Sequence, residues 1–181
     1  LCSDFFRIFA YQRTIKKVMT KYMINVRGRL ISFEKPLVMG ILNVTPDSFY
    51  AGSRKQTERE IAETANRIVA DGGAIIDVGA FSTRPGAIEV SENEESERLC
   101  KALRIVHREQ PEAVISVDTY RPRVARQCVE EWGADIINDV SEGGLTGIVN
   151  TPIREEGDMF ETVARLQVPY ILMSVKPTLE T

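Results

Sequence analysis

Five short apolar runs, each rich in Val and Ile, recur along the chain. Their apolarity is nearly continuous rather than alternating, which is typical of strands that are buried on both faces of a parallel sheet. The predicted strands are "LVMGIL" (37–42), "AIIDVG" (74–79), "AVISV" (113–117), "DIIND" (135–139) and "VPYILM" (168–173).

Helical patterns lie between the predicted strands. Thr57 with Glu60, and Ser91 with Glu94, form two capping boxes, each of which predicts the start of a helix. Pro122 suits the first turn of a third helix, and apolar residues within 159–164 predict a fourth. The alternation of strand and helix implies parallel βα units.

Polar residues stand at or near the carboxyl ends of the predicted strands: Asn43, Asp77, Asp118, Asn138 and Ser174. In a closed (β/α)₈ TIM barrel those ends converge on one mouth, where barrel enzymes keep their chemistry. In an open doubly wound sheet, only the strands beside the switch point contribute. Five consecutive contributors favour the barrel over the open sheet, although periodicity alone does not choose between them.

The length of the chain bounds this interpretation. A complete barrel needs about 250 residues, whereas 181 residues hold only five predicted strands. We therefore expect the first five βα units of a barrel, with further strands beyond residue 181. We interpret residues 1–22 as an N-terminal tail outside the fold, and residues 23–181 as the partial barrel.

Composition narrows the function classes. A net charge of −3 and a pI near 5.4 argue against a nucleic-acid-binding surface. No apolar run approaches the ~18 residues of a membrane span. Three cysteines without a C-x-x-C pair indicate neither a disulfide framework nor a zinc site. A reduced, cytoplasmic protein is expected, and the acidic run "SENEESER" is interpreted as a solvated helix start.

Three features are candidates for chemistry, and each has a structural alternative. Asp118 follows a buried strand, where a carboxylate either caps the next helix or stabilises positive charge at the mouth. Asn138 is either a turn former or a ligand donor. Thr83 and Arg84, in "FSTRPGA", offer a hydroxyl and a cation suited to phosphate or carboxylate, or else form a surface turn.

Four motifs occur together: "GILNVTPDSF", "DVGAFSTRPGA", "ISVDTYRPRVA" and "GADIINDVSEGG". In this order and spacing, the chain resembles the dihydropteroate synthases over about residues 24–176. The resemblance implies a (β/α)₈ barrel. It also implies a reaction of folate synthesis that sulfonamides block: 6-hydroxymethyl-7,8-dihydropterin pyrophosphate condenses with p-aminobenzoate to give 7,8-dihydropteroate. In that family, pyrophosphate is thought to leave first, and the amine then attacks a pterin-stabilised cation.

The resemblance also implies roles for individual residues. Asn43 would be the Mg²⁺ and pyrophosphate residue, since an amide oxygen suits a hard cation. Asp118 and Asn138 would bind the pterin ring, with Asp118 also favouring the cation. Met173 would pack against the pterin. Asp77 fits the family pattern, with a structural or a catalytic role equally open.

Two loops would complete the site. Thr83, Arg84 and Pro85 would lie near p-aminobenzoate and the leaving group, and Phe49 would lie on a loop that closes over the site and excludes water. The family's second pterin-binding Asp, its Lys and its Arg/His pair would lie beyond residue 181. We expect the full-length protein to form a homodimer.

Two other functions are compatible with parts of the pattern. One is a pterin-binding methyltransferase domain, which shares the strand-end Asp and Asn but does not need the "STRPGA" loop. The other is a truncated pterin-binding protein without catalytic activity.

Overall fold

The computed structural model describes residues 22–45, 54–81, 90–143 and 158–173. The chain divides into two compact units, Leu1–Leu37 and Val38–Thr181. The predicted tail, residues 1–22, lies almost entirely outside the described residues, so its interpretation stays a prediction.

The described part of the first unit is a β-hairpin, which the sequence analysis did not identify. Strands β1 (Met23–Val26) and β2 (Arg29–Ser32) pair antiparallel around a two-residue turn. Both turn residues have positive φ, 50° at Arg27 and 78° at Gly28. Turns of this left-handed kind match the twist of the strands, and they usually carry Asn or Asp before the Gly. Arg at the first position weakens the sequence signal, which explains the omission.

The second unit contains a five-stranded parallel sheet, and all five predicted strands are confirmed. The strands follow one another in chain order without a reversal. A sheet that grows by one neighbour at a time is the arrangement of a barrel, whereas a doubly wound sheet reverses direction at a switch point. The strands are β3 (Met39–Asn43), β4 (Ile75–Gly79), β5 (Val114–Asp118), β6 (Ile136–Asp139) and β7 (Tyr170–Leu172).

Four helices are described: α1 (Arg54–Ala70), α2 (Glu92–Glu109), α3 (Pro122–Glu130) and α4 (Met159–Leu166). The second capping box is confirmed, because the Ser91 hydroxyl accepts a hydrogen bond from the backbone N–H of Glu94 at 3.3 Å. The first is wrong: α1 already begins at Arg54, so Thr57 lies inside the helix. The residues ahead of Thr57 include Arg, Lys and Gln, good helix formers that extend the helix toward its N-terminus. Within the described residues, no helix combines the length and apolarity that crossing a membrane requires.

The hydrophobic core lies between the sheet and the helices. Gly40 marks the helix-facing side of β3, because a Cβ there would lie 2.5 Å from the Ile68 side chain on α1. Leu42 lies on the same side and is almost fully buried. Since successive strand residues face opposite sides, Ile41 and Asn43 lie on the other face. That face carries the candidate site.

Candidate functional site

The carboxyl ends of four strands form one row of residues across the inner face of the sheet. In register, Asn43 on β3 pairs with Gly79 on β4, Gly79 pairs with Asp118 on β5, and Asp118 pairs with Asn138 on β6. We call these four residues the strand-end row. Parallel pairing therefore gathers three of the predicted site residues, which are up to 95 positions apart in the sequence (43 to 138).

Gly79 creates the space in which two of these side chains meet. A Cβ at Gly79 would lie 3.0 Å from Oδ1 of Asn43 and 3.5 Å from Oδ2 of Asp118. The amide oxygen and the carboxylate oxygen thus lie over the glycine from the two neighbouring strands. Gly79 stands in the quoted motif "DVGAFSTRPGA", but the sequence analysis did not single it out, because a strand-end Gly more often signals a turn.

Asp118 is the last residue of β5, and the alternative that it caps the following helix is wrong. The N-cap residue of α3 is Arg121, which makes no side-chain capping bond, so Asp118 does not cap that helix. Oδ1 of Asp118 is buried and has no hydrogen-bond partner within residues 22–45, 54–81, 90–143 and 158–173. Burial, together with the nearby carboxylates of Asp77, Glu95 and Asp139, raises the pKa of Asp118 to about 7. An N–H donor or a developing positive charge would stabilise the ionised form.

Asp77 lies one pleat below the strand-end row and supports it. It is 4% exposed, and its Oδ2 accepts a hydrogen bond from the Asn138 amide Nδ2 at 3.0 Å. Burial raises the pKa of Asp77, an effect that Ser116 and Asn138 partly offset. Asp77 therefore orients Asn138 from the pleat below. This contact favours a structural role for Asp77, whose role the sequence left open between structural and catalytic.

Asn138 and Asp139 are neighbours with different tasks. Asp139 accepts hydrogen bonds from Ser141, through its backbone N–H at 2.7 Å and its hydroxyl at 2.6 Å. It also accepts from the backbone N–H of Gly143 at 3.0 Å and from the Tyr170 hydroxyl at 2.6 Å. Asp139 thus holds the turn after β6, which leaves Asn138 for the strand-end row.

Glu95 contradicts the expectation that the acidic run is solvated. It lies in the first turn of α2, is 0% exposed, and is bonded to Thr119 and Arg121 directly after Asp118. Helical spacing is the signal that could have found Glu95: it lies four residues before Leu99 and seven before Ala102, on the apolar stripe of α2, whereas Glu94 lies off that stripe.

The other predicted site residues are only partly placed. Met173 directly follows β7, is 44% exposed, and donates its backbone N–H to the Asp139 carbonyl at 3.0 Å. The remaining four lie outside the described residues: Phe49, Thr83, Arg84 and Pro85.

The residues around Gly79 fit a hard cation such as Mg²⁺, which also takes phosphate oxygens as ligands. They offer the Asn43 amide oxygen and a carboxylate oxygen of Asp118 at one place. Mg²⁺ is commonly bound through one or two protein oxygens, with phosphate and water as its other ligands. In the described part of the chain, no group of three His, Cys, Asp or Glu side chains could hold a metal ion alone.

Comparison with known proteins gives these features a family. The profile of the family described as pterin binding enzyme matches residues 39–181. The dihydropteroate synthase of Streptococcus pyogenes serotype M18 is 39% identical over 146 residues, which are 81% of this chain and 50% of that protein. The mitochondrial folate synthesis bifunctional protein of Pisum sativum is 40% identical over 160 residues, covering 87% and 29%.

A solved structure gives the same result for the fold. The Xanthomonas albilineans dihydropteroate synthase, solved with 4-aminobenzoic acid, matches with a TM-score of 0.72 at 34% identity, over 87% of this chain and 54% of that one. The chain spans about half the length, or less, of these relatives. Its sheet is that of a partial TIM barrel, and the match over residues 39–181 shows that the chain belongs to the family of pterin binding enzymes.

Proposed function

We propose that the protein is a dihydropteroate synthase, which joins 6-hydroxymethyl-7,8-dihydropterin pyrophosphate and p-aminobenzoate into 7,8-dihydropteroate. The observation that carries this proposal is the strand-end row, in which Asn43 and Asp118 meet over Gly79 and Asn138 lies beside Asp118 on the next strand. The relatives named above support the same activity by their names.

Asp118 and Asn138 are the residues we assign to the pterin ring. The ring edge carries N–H donors, which the unpartnered oxygen of Asp118 can accept. Asp77 accepts one N–H of the Asn138 amide and so fixes the orientation of that amide, which leaves its oxygen and its second N–H for a ligand. Because these groups are already held in place, little ordering is needed when the pterin binds.

Asp118 also has an electrostatic role in the reaction. The bond between the pterin methylene carbon and the pyrophosphate oxygen breaks, and the electron pair leaves with the pyrophosphate. The methylene cation is delocalised into the pterin, and an ionised carboxylate beside the ring stabilises that charge. The amine nitrogen of p-aminobenzoate then forms the new carbon–nitrogen bond and loses a proton.

Asn43 is the residue we assign to Mg²⁺ and the pyrophosphate. When bound, Mg²⁺ would neutralise the charge that develops on the leaving group. The contribution of the chain is to hold the Asn43 oxygen over Gly79, where no side chain displaces it.

Five further assignments rest on the family resemblance. Thr83, Arg84 and Pro85 would contact p-aminobenzoate and the leaving group, and Phe49 would help to exclude water from the cation. Met173, which is exposed after β7, offers a flexible apolar side chain for the pterin.

Homodimerisation and cytoplasmic location are further proposals. They rest on the family resemblance and on the composition. The Pisum sativum relative is named as mitochondrial, so the compartment is best tested by fractionating cells that produce the full-length protein. Sedimentation of the same protein tests the dimer.

The deciding experiment uses the full-length parent protein with the pterin pyrophosphate, labelled p-aminobenzoate and Mg²⁺. We expect labelled dihydropteroate, and its loss when EDTA removes Mg²⁺. A parallel reaction with methyltetrahydrofolate and a corrinoid acceptor tests the methyltransferase alternative. Methyl transfer without labelled dihydropteroate would replace the proposal, and pterin binding without either product would leave a non-catalytic pterin-binding protein.

A further inference from the structure

Glu95 is a buried carboxylate that the proposed mechanism does not use. It is 0% exposed and lies in the first turn of α2. Burial raises the pKa of Glu95, an effect that the Thr119 hydrogen bond and the Arg121 ion pair only partly offset. Because a buried charge is costly, it persists only where its oxygens are fully bonded.

Both oxygens of Glu95 are bonded to the segment that follows β5. Oε1 accepts a hydrogen bond from the Thr119 hydroxyl at 2.6 Å, and Oε2 pairs with the Arg121 guanidinium. Thr119 and Arg121 are also joined directly, since the Arg121 backbone N–H donates to the Thr119 hydroxyl at 3.2 Å. Glu95 therefore anchors the first turn of chain after Asp118.

The same segment is bonded to the strand-end row. The backbone N–H of Thr119 donates to the carbonyl of Asn138 at 3.0 Å, and Thr119 is fully buried. Thr119 is thus covalently next to Asp118, hydrogen-bonded to Asn138, and held from behind by Glu95. A shift of Thr119 moves the backbone of both residues that we assign to the pterin.

Arg121 extends this anchor to another part of the chain. Its guanidinium donates to the carbonyl of Val90 at 2.7 Å and stands over the Tyr120 ring at 5.1 Å. The Tyr120 ring in turn meets Phe81 edge-on, with ring centroids 4.9 Å apart. Through Arg121, Glu95 is therefore connected both to Phe81, which follows β4, and to Val90, which precedes α2.

We propose that Glu95 is a positioning residue for pterin binding, which acts through Thr119 to set the relative placement of Asp118 and Asn138. The proposal rests on the proposed function only in that the ligand is a pterin. Apolar residues of similar volume often replace a buried ion pair without loss of stability. We therefore assign the ion pair of Glu95 with Arg121 to positioning rather than to stability.

The test measures binding of 6-hydroxymethylpterin to the full-length protein by calorimetry, beside thermal unfolding. Thr119→Val removes the hydroxyl and keeps the shape, and Thr119→Ser keeps the hydroxyl. We expect Thr119→Val and Glu95→Gln to weaken binding about tenfold, and Thr119→Ser to stay within about threefold of the wild type. Glu161→Gln, which removes an exposed helix pair with Arg165, is the matched control and should leave binding unchanged.

A kinetic measurement separates positioning from stability. In Thr119→Val, KM for the pterin substrate should rise, whereas KM for p-aminobenzoate should stay within about twofold. A lowered unfolding temperature with unchanged pterin affinity would overturn the proposal, because Glu95 would then only support the fold. If Glu95→Gln and Thr119→Val do not fold, Glu95→Asp decides, since it keeps the charge but shortens the side chain whose oxygen accepts from the Thr119 hydroxyl. Unchanged affinity in that variant would contradict the proposal.

The two proposals fail separately. Wild-type protein that binds the pterin but forms no dihydropteroate would refute the synthase activity, and the affinity series would still decide the role of Glu95.

Discussion

Glu95 and Asp118 both have buried carboxylate oxygens, and they differ in what those oxygens contact. Each oxygen of Glu95 has its own partner, Thr119 or Arg121. Asp118 has a buried oxygen with no partner in the described residues, and its pKa is raised to about 7. A carboxylate whose two oxygens are both bonded holds a structure in place, whereas an unpartnered oxygen in the strand-end row is available for a ligand. The buried Oδ1 of Asp77 also has no partner in the described residues, but it lies one pleat below that row. Glu95 thus positions the site, and Asp118 contacts the ligand.

The most severe test of this contrast is Asp118→Asn in the full-length protein. The amide keeps the shape but cannot stabilise a cation by charge, so we expect kcat to fall about 100- to 1000-fold. Steady-state kinetics with labelled p-aminobenzoate measures the loss, with Glu161→Gln as control. Turnover within threefold of the wild type would refute the electrostatic role of Asp118.

The raised pKa of Asp118 predicts a pH-dependent stability difference. Its ordinary pKa is 3.8 and its folded value is about 7. Between these values the folded state retains a proton that the unfolded state has lost. This stabilising contribution is complete below about pH 4 and disappears as the pH rises through 7. Asp118→Asn lacks this dependence, so its free energy of unfolding should rise relative to the wild type by about 3 kcal/mol between pH 4.5 and 7.5. Urea unfolding at both pH values measures it, and a constant difference would contradict the raised pKa.

Two glycines on neighbouring strands, one on each face of the sheet, sharpen the contrast between site and core. A Cβ at Gly79 would crowd Asn43 and Asp118, so Gly79→Ala should weaken pterin affinity about tenfold with little change in unfolding temperature. A Cβ at Gly40 would meet Ile68 on the helix side, so Gly40→Ala should lower the unfolding temperature and spare affinity. Calorimetry and thermal unfolding of both variants test the pair, and the reverse pattern would mean that the two faces are assigned wrongly.

The smallest effect is expected at the exposed pair Glu161–Arg165. Side chains that are 52% and 76% exposed gain little from pairing in water. Glu161→Gln should therefore change the free energy of unfolding by less than about 0.5 kcal/mol. Urea unfolding measures this free energy. A larger loss would mean that the exposed pair Glu161–Arg165 contributes to stability as a buried pair does, so that exposure is not what distinguishes it from the pair Glu95–Arg121.

Much of the sheet and part of the site followed from the sequence. The apolar runs predicted all five strands of the sheet, because strands covered on both sides need continuous apolarity. Asn43, Asp118 and Asn138 were noted because they stand at strand ends, but the resemblance to the dihydropteroate synthases implied their roles, and register places them in one row.

Other features depend on contacts that no local pattern records. Gly79 matters through what lies on the two strands beside it. Helical spacing places Glu95 on the apolar stripe of α2, but its partners Thr119 and Arg121 are 24 and 26 positions away in the sequence. The hairpin was missed because Arg precedes Gly28 where Asn or Asp is usual. In each case the deciding partner is distant in sequence, or the local signal is atypical.

The hydrogen bond from Asn138 to Asp77 has a consequence for selectivity. One N–H of the Asn138 amide is donated to Asp77, so the amide keeps its oxygen and one N–H in a fixed direction, and Asp118 presents a carboxylate oxygen on the adjacent strand. A heterocycle can bind there when its edge supplies a donor to the ionised Asp118 and a complementary group to Asn138. A ring of the same outline with a carbonyl facing Asp118 loses that hydrogen bond. Discrimination between such rings would then depend on hydrogen-bond polarity, without any difference in shape.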